Sequence, residues 1–168
     1  MITHRYLFLD IDGVLNSSIY HNRVTFLRNA KWPEINGVPV RLEPSKIPLL
    51  NQLVHPSVQI VLSSMWRVKG HAQVESWLRH LGFTGRLVDA TALDITDPRR
   101  CRGKEIAAWL KAAGHEERDW GGAVRFACLD DDRRMEPVRP HWVPVDSVDG
   151  LTGNDVEKAL KLLALDKV

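Results

Sequence analysis

A chain of 168 residues fits about one domain, and its 44% apolar content is enough to bury a real core. Lysine and arginine total 23 against 21 acidic residues, so no global field marks a nucleic-acid binder, and any anionic partner must be met locally. Cys101 and Cys128 lie far apart with no paired spacing, which argues against a zinc knuckle or a disulfide framework. The apolar run within residues 1–12 is too short, and too interrupted by carboxylates, for a secretory leader or a membrane span, so a soluble, unprocessed, cytoplasmic protein is expected.

Tyr6, Leu7, Phe8 and Leu9 are continuously apolar rather than alternating, the pattern of a parallel strand covered on both faces, and the run ends at Asp10 and Asp12. Residues about 16–42 then interrupt the regular pattern. Asn36-Gly37 between Ile35 and Val38 signals a two-residue hairpin turn there, so a small flap is expected. A helix is predicted over 45–54, followed by a second buried strand over 58–62 that ends at Ser63 and Ser64. Val74, Trp77, Leu78 and Leu81 recur at i, i+3, i+4 and i+7 before Gly82, which predicts an amphipathic helix with a glycine cap. After a short strand near Leu87, the residues Ile106, Trp109, Leu110 and Ala113 repeat that register before Gly114. A third apolar run, 123–129, ends at Asp130, Asp131 and Asp132, and a short strand is expected over 142–145. The last helix is predicted to open at Asn154 as N-cap, with Glu157 three residues on and Val156, Leu160 and Leu163 along one face.

Strands alternating with helices predict an α/β fold, a three-layer, doubly wound parallel sheet built from βαβ units. No repeat or linker divides residues 1–168, so one domain with a flap insertion is expected. Such sheets bind ligands outside the carboxyl ends of their strands, which is where the three polar clusters converge.

The chemistry suggested by those clusters is phosphoryl transfer. In Asp10-Ile11-Asp12-Gly13-Val14, period-two geometry puts both carboxylates on one side, so one can attack while the other donates a proton. A covalent route through an aspartyl phosphate splits a barrier that is among the highest for uncatalysed reactions. Carboxylate and phosphate repel one another, so a cation is needed, and Asp130 and Asp131 supply the hard oxygen ligands that magnesium prefers. The alternative readings are a capped turn at Asp10 and a solvated acidic turn at 130–132. Ser63 and the backbone N–H groups after it could hold phosphate oxygens, or Ser63 or Ser64 could be an ordinary helix N-cap. Arg99, Arg100, Arg102 and Lys104 precede a helix, where a cation could reach a phosphate or form a solvated basic loop.

Asp10-x-Asp12-Gly13-Val14, then Ser63 after an apolar strand, Lys104, and Leu129-Asp130-Asp131 resemble in order and strand context the four motifs of the haloacid dehalogenase (HAD) superfamily, over nearly the whole chain. The resemblance implies a Rossmann-like fold and a phosphatase with Asp10 as nucleophile and Asp12 as general acid and base. Ser63 and the basic residue would grip phosphate, with Arg102 able to replace Lys104 in that role. Magnesium would be bound by Asp10, the Asp12 carbonyl, Asp130 and Asp131, with the adjoining Asp132 leaving that ligand assignment open by one position. Ser63-Ser64-Met65-Trp66-Arg67 and Val145-Asp146…Asp149-Gly150-Leu151-Thr152 are similar to phosphatase modules of RNA-repair proteins, and Leu129-Asp130-Asp131-Asp132-Arg133 resembles the phosphatase half of polynucleotide kinase-phosphatases.

The intervals between motifs leave no room for a full cap domain. An open site admits the phosphorylated end of a polymer, whereas a small metabolite usually needs a lid. Trp32, Trp66 and Trp142, with Arg67, Arg99 and Arg100, could stack on and neutralise single-stranded nucleic acid, with core packing as the other role for each tryptophan. A polynucleotide phosphatase acting on DNA or RNA ends is therefore the expected activity. The alternatives are a nucleotidase or small-metabolite phosphatase, and a catalytically silent module that binds phosphorylated ends. The seven histidines show no ligand spacing, and the sequence does not report oligomeric state.

Overall fold

A computed structural model of the chain describes residues 1–93 and 100–166. The strands are β1 (His4–Leu9), β2 (Glu34–Ile35), β3 (Val38–Pro39), β4 (Gln59–Leu62), β5 (Leu87–Ala90), β6 (Val124–Asp130) and β7 (Trp142–Pro144). The α-helices are α1 (Ser18–Asn22), α2 (Ile47–Asn51), α3 (His71–His80), α4 (Arg102–Ala112) and α5 (Gly153–Leu163). Five strands form one sheet in the order β5-β4-β1-β6-β7, and every pairing in it is parallel.

Alternate β1 residues supply the two faces. Leu7 and Leu9 join Leu50, Leu78, Val156 and Leu160 from α2, α3 and α5, while Tyr6 and Phe8 join Ile106 and Leu110 of α4 on the other face. The uninterrupted apolar run predicted this three-layer sandwich, because a strand buried on both sides has no solvent face for polar residues. Truncating one of these fully buried leucines to alanine should cost about 2–5 kcal/mol.

Several local expectations hold. Asn36 and Gly37, at φ 53 and 77, form the hairpin turn joining β2 to β3, as a type I′ turn requires positive φ at both positions. Two helix boundaries differ. The helix expected over 45–54 is a 3₁₀ turn at Pro44–Lys46 followed by the five-residue α2. Helix α5 is capped by Thr152 rather than Asn154: the Thr152 hydroxyl accepts from the Asp155 N–H, and the Asp155 carboxylate accepts from the Thr152 N–H at 3.0 Å. That reciprocal box satisfies the N–H groups of the N-cap and of the third helical residue, which the Asn154–Glu157 pair would do only two residues later. Among the described residues, no helix is long and apolar enough to cross a membrane.

Candidate active site

Register brings the site together. Leu9 pairs with Leu62 on one side and Leu129 on the other, so Asp10, Ser63 and Asp130 stand level at three adjacent strand ends. The Asp10 N–H donates to the Leu129 carbonyl at 3.0 Å and the Ser63 N–H to the Leu9 carbonyl at 2.9 Å, extending the ladder one step into the site. One carboxylate oxygen from each of Asp10, Asp130 and Asp131 lies within 4.8 Å of the others. Gly13, at φ 78, turns the chain away, and a Cβ there would strike the Asp131 carboxylate.

Burial dominates the electrostatics. Desolvation pushes Asp10 up to about 6, against the pull of Arg102, the Ile11 N–H and the Ser64 hydroxyl. Asp130 is 1% exposed and pushed well above the usual carboxylate range, first by burial and then by the Asp10 charge, with Arg102 opposing. Asp131 is raised as well, mainly by desolvation. Three acids that resist ionising together are what a cation would relieve. Asp130 Oδ2 is buried with no hydrogen-bond partner, and the all-oxygen donor set suits a hard divalent ion. The residues present therefore fit a metal.

Asp12 is exposed beside this cluster and held at both oxygens. Oδ1 accepts from Asn16 Nδ2 at 2.8 Å and Oδ2 from the Trp66 indole N–H at 3.0 Å. Asn16 also accepts from the Gly13 N–H and donates to the Arg41 carbonyl, tying the turn to the segment after β3. Trp66 thus has a polar role at the site, and it meets Trp77 edge to face. Trp142 donates to the Asp130 carbonyl at 2.8 Å, while Trp32 packs on Tyr20 and lines the pocket that Asp10 and Asp12 share.

The two serines divide their roles. Ser64 caps the 3₁₀ turn Met65–Lys69 through the Trp66 N–H, whereas the buried Ser63 hydroxyl has no hydrogen-bond partner. Of the basic residues, Arg102 reaches the carboxylates, with Nε 2.9 Å from Asp130 Oδ2 and a terminal nitrogen 3.8 Å from Asp10 Oδ1. Lys104 is exposed and faces a different hollow, with Ala108 and Trp109, because two residues of helical rotation carry it off the site. Arg67 also departs from the substrate-contact expectation. Its side chain is 3% exposed, and its guanidinium donates to the Ser63 carbonyl and to Glu105. The Met65–Lys69 turn folds it back under the end of β4, so it braces the site from behind. Asp132 turns aside to Arg134 at 2.7 Å, leaving Asp130 and Asp131 facing the cluster. Arg99 lies outside the described residues.

Sequence reasoning missed Glu105, Gly103, Asn16 and Arg41. Glu105 gathers Arg67 at 2.8 Å and Arg102 at 3.5 Å. Gly103 donates to the Arg134 carbonyl at 3.0 Å, and a Cβ on it would run into the Met135 and Glu136 backbone, so a glycine lets α4 sit close enough to aim Arg102. The Gly103 contact joins segments distant in sequence and left no local signal. Asn16, four residues after Asp12, was the readable one. Asp10, Asp12, Arg102 and Asp131, with Asn16, Arg41 and Met65, line a pocket of about 520 Å³.

A family model described as the HAD domain in Swiss Army Knife RNA repair proteins matches residues 6–156. No curated protein matches the chain.

Proposed function

The chain belongs to the family of HAD domains in Swiss Army Knife RNA repair proteins, and on that premise we propose that it is a magnesium-dependent phosphomonoester hydrolase acting on the terminal phosphates of nucleic acid. The observation that carries the reading is the convergence of Asp10, Asp130 and Asp131 within 4.8 Å, with Asp12 held beside them. Asp10, Asp130, Asp131 and the Asp12 carbonyl would hold the metal, which when bound neutralises the carboxylates and the phosphate that must approach them.

The residues then divide the work. A carboxylate oxygen of Asp10 forms a bond to phosphorus as the ester P–O bond breaks, and Asp12 gives its proton to the leaving oxygen. Water next attacks the aspartyl phosphate while Asp12 takes its proton, releasing inorganic phosphate and restoring both acids. Ser63, whose buried hydroxyl has no other partner, and Arg102 hold the phosphoryl oxygens. The presence of both Asp10 and Asp12 in the first motif weighs against a silent binding module. Hydrolysis of p-nitrophenyl phosphate with magnesium and with EDTA tests the chemistry. Comparison of 3′- and 5′-phosphorylated oligonucleotides with mononucleotides tests the substrate, and faster turnover of mononucleotides would favour a nucleotidase.

A further inference from the structure

A second groove, of about 800 Å³, runs between the β2–β3 hairpin and the segment formed by the Met65–Lys69 turn and α3. Its walls are mainly apolar, with Val38, Met65, Trp66, Val68 and Trp77 among them. Val38 and Val68 are 62% and 64% exposed, so nothing among the described residues covers this surface. Arg41 and Met65 line both this groove and the pocket over Asp10 and Asp12, so the two adjoin.

The direction of the chemistry selects an occupant. Asp12, which protonates the leaving oxygen, is hydrogen-bonded to the Trp66 indole, a wall of the groove. The leaving group of a phosphate ester must therefore emerge beside Trp66. For a nucleic-acid end that leaving group is a sugar carrying a base, and an apolar, aromatic-walled channel suits the base while Arg41 and Lys69 on its rim meet the next phosphodiester. We propose that this groove holds the base and sugar adjoining the terminal phosphate of a single-stranded nucleic acid. This rests on the phosphohydrolase reading above and names where its substrate lies.

The test compares kcat/KM for a phosphate-ended oligonucleotide, the same strand with an abasic terminal nucleotide, a phosphotyrosine peptide and p-nitrophenyl phosphate. Wild type should prefer the base-bearing end over the abasic one by about tenfold or more, and Val38→Asp should abolish that preference. Val88→Asp, at an exposed valine of edge strand β5 that does not line the groove, should retain it. Turnover of p-nitrophenyl phosphate with equal rates on the two strands, or better turnover of the peptide, overturns the groove assignment and leaves the hydrolase reading standing. Should no ester be cleaved, the hydrolase reading fails and binding decides the groove. Saturable tryptophan quenching by the base-bearing strand that Val38→Asp removes supports it, and quenching that is absent or equal for the abasic strand overturns it.

Discussion

Arg102 Nε lies 2.9 Å from Asp130 Oδ2, yet both atoms are buried without a hydrogen-bond partner, because the N–H does not point at the oxygen. The guanidinium lends its charge to the acidic cluster and leaves that oxygen available as a ligand. Its other contacts, to Asp10 and Glu105, hold it along the wall of the pocket that Asp10 and Asp12 line.

Arg102→Ala should therefore lower kcat/KM by roughly 10²- to 10³-fold, the cost of removing one aligned donor to a developing anion. Lys104→Ala should stay close to wild type. Steady-state kinetics on p-nitrophenyl phosphate separates them, and the reverse order of effects would return the phosphate grip to Lys104.

For Asp12→Asn, loss of proton transfer should reduce kcat by about 10²- to 10⁴-fold. Trp66→Phe keeps the ring and removes the hydrogen bond to Oδ2, so it should cost about tenfold at most, since Asp12 is exposed and keeps Asn16. A near-wild-type Asp12→Asn rate would end its acid-base role.

The acidic cluster predicts a pH-dependent metal effect. Burial raises Asp10 in the folded state from an ordinary 3.8 to about 6, and Asp130 and Asp131 move the same way. Their protonated forms stabilise the fold: that contribution is fully present below the unfolded value and is lost as pH rises through the folded one. In EDTA, melting temperature should fall between about pH 5 and about pH 7, more in wild type than in Asp10→Asn. Magnesium, which needs the ionised carboxylates, should raise melting temperature more at about pH 7 than at about pH 5. An equal rise at both would contradict this account. Calorimetry across pH provides the check.

Gly103→Ala should destabilise the fold by about 1–3 kcal/mol, because the added methyl meets backbone rather than a movable side chain. It should also lower kcat/KM by displacing Arg102. Urea unfolding with parallel kinetics measures both, and an unchanged midpoint would show that α4 has slack at this contact.

How much of this was legible depended on range. The apolar runs ending at Asp10, Ser63 and Asp130 announced the sheet and the edge where its polar residues gather, because a doubly covered strand must be apolar until it leaves the sandwich. The choice of Arg102 over Lys104 was not legible: it depends on helix phase, set by the close approach of Gly103 to Met135 and Glu136. Arg67 read as a substrate contact because a basic residue after Ser63 carries no mark of its direction, and only its ion pair with the half-buried Glu105 reveals that it points inward. The Trp66–Asp12 bond spans 54 positions and follows from a turn geometry that spacing does not report.

The most direct measurement is a rapid acid quench during turnover of a phosphate-ended oligonucleotide, followed by peptide mass mapping. A phosphoryl adduct on the peptide bearing Asp10, formed with magnesium and absent with EDTA, is the predicted result. Robust turnover with no adduct there, or with the adduct on another residue, would contradict the assignment of Asp10 as nucleophile.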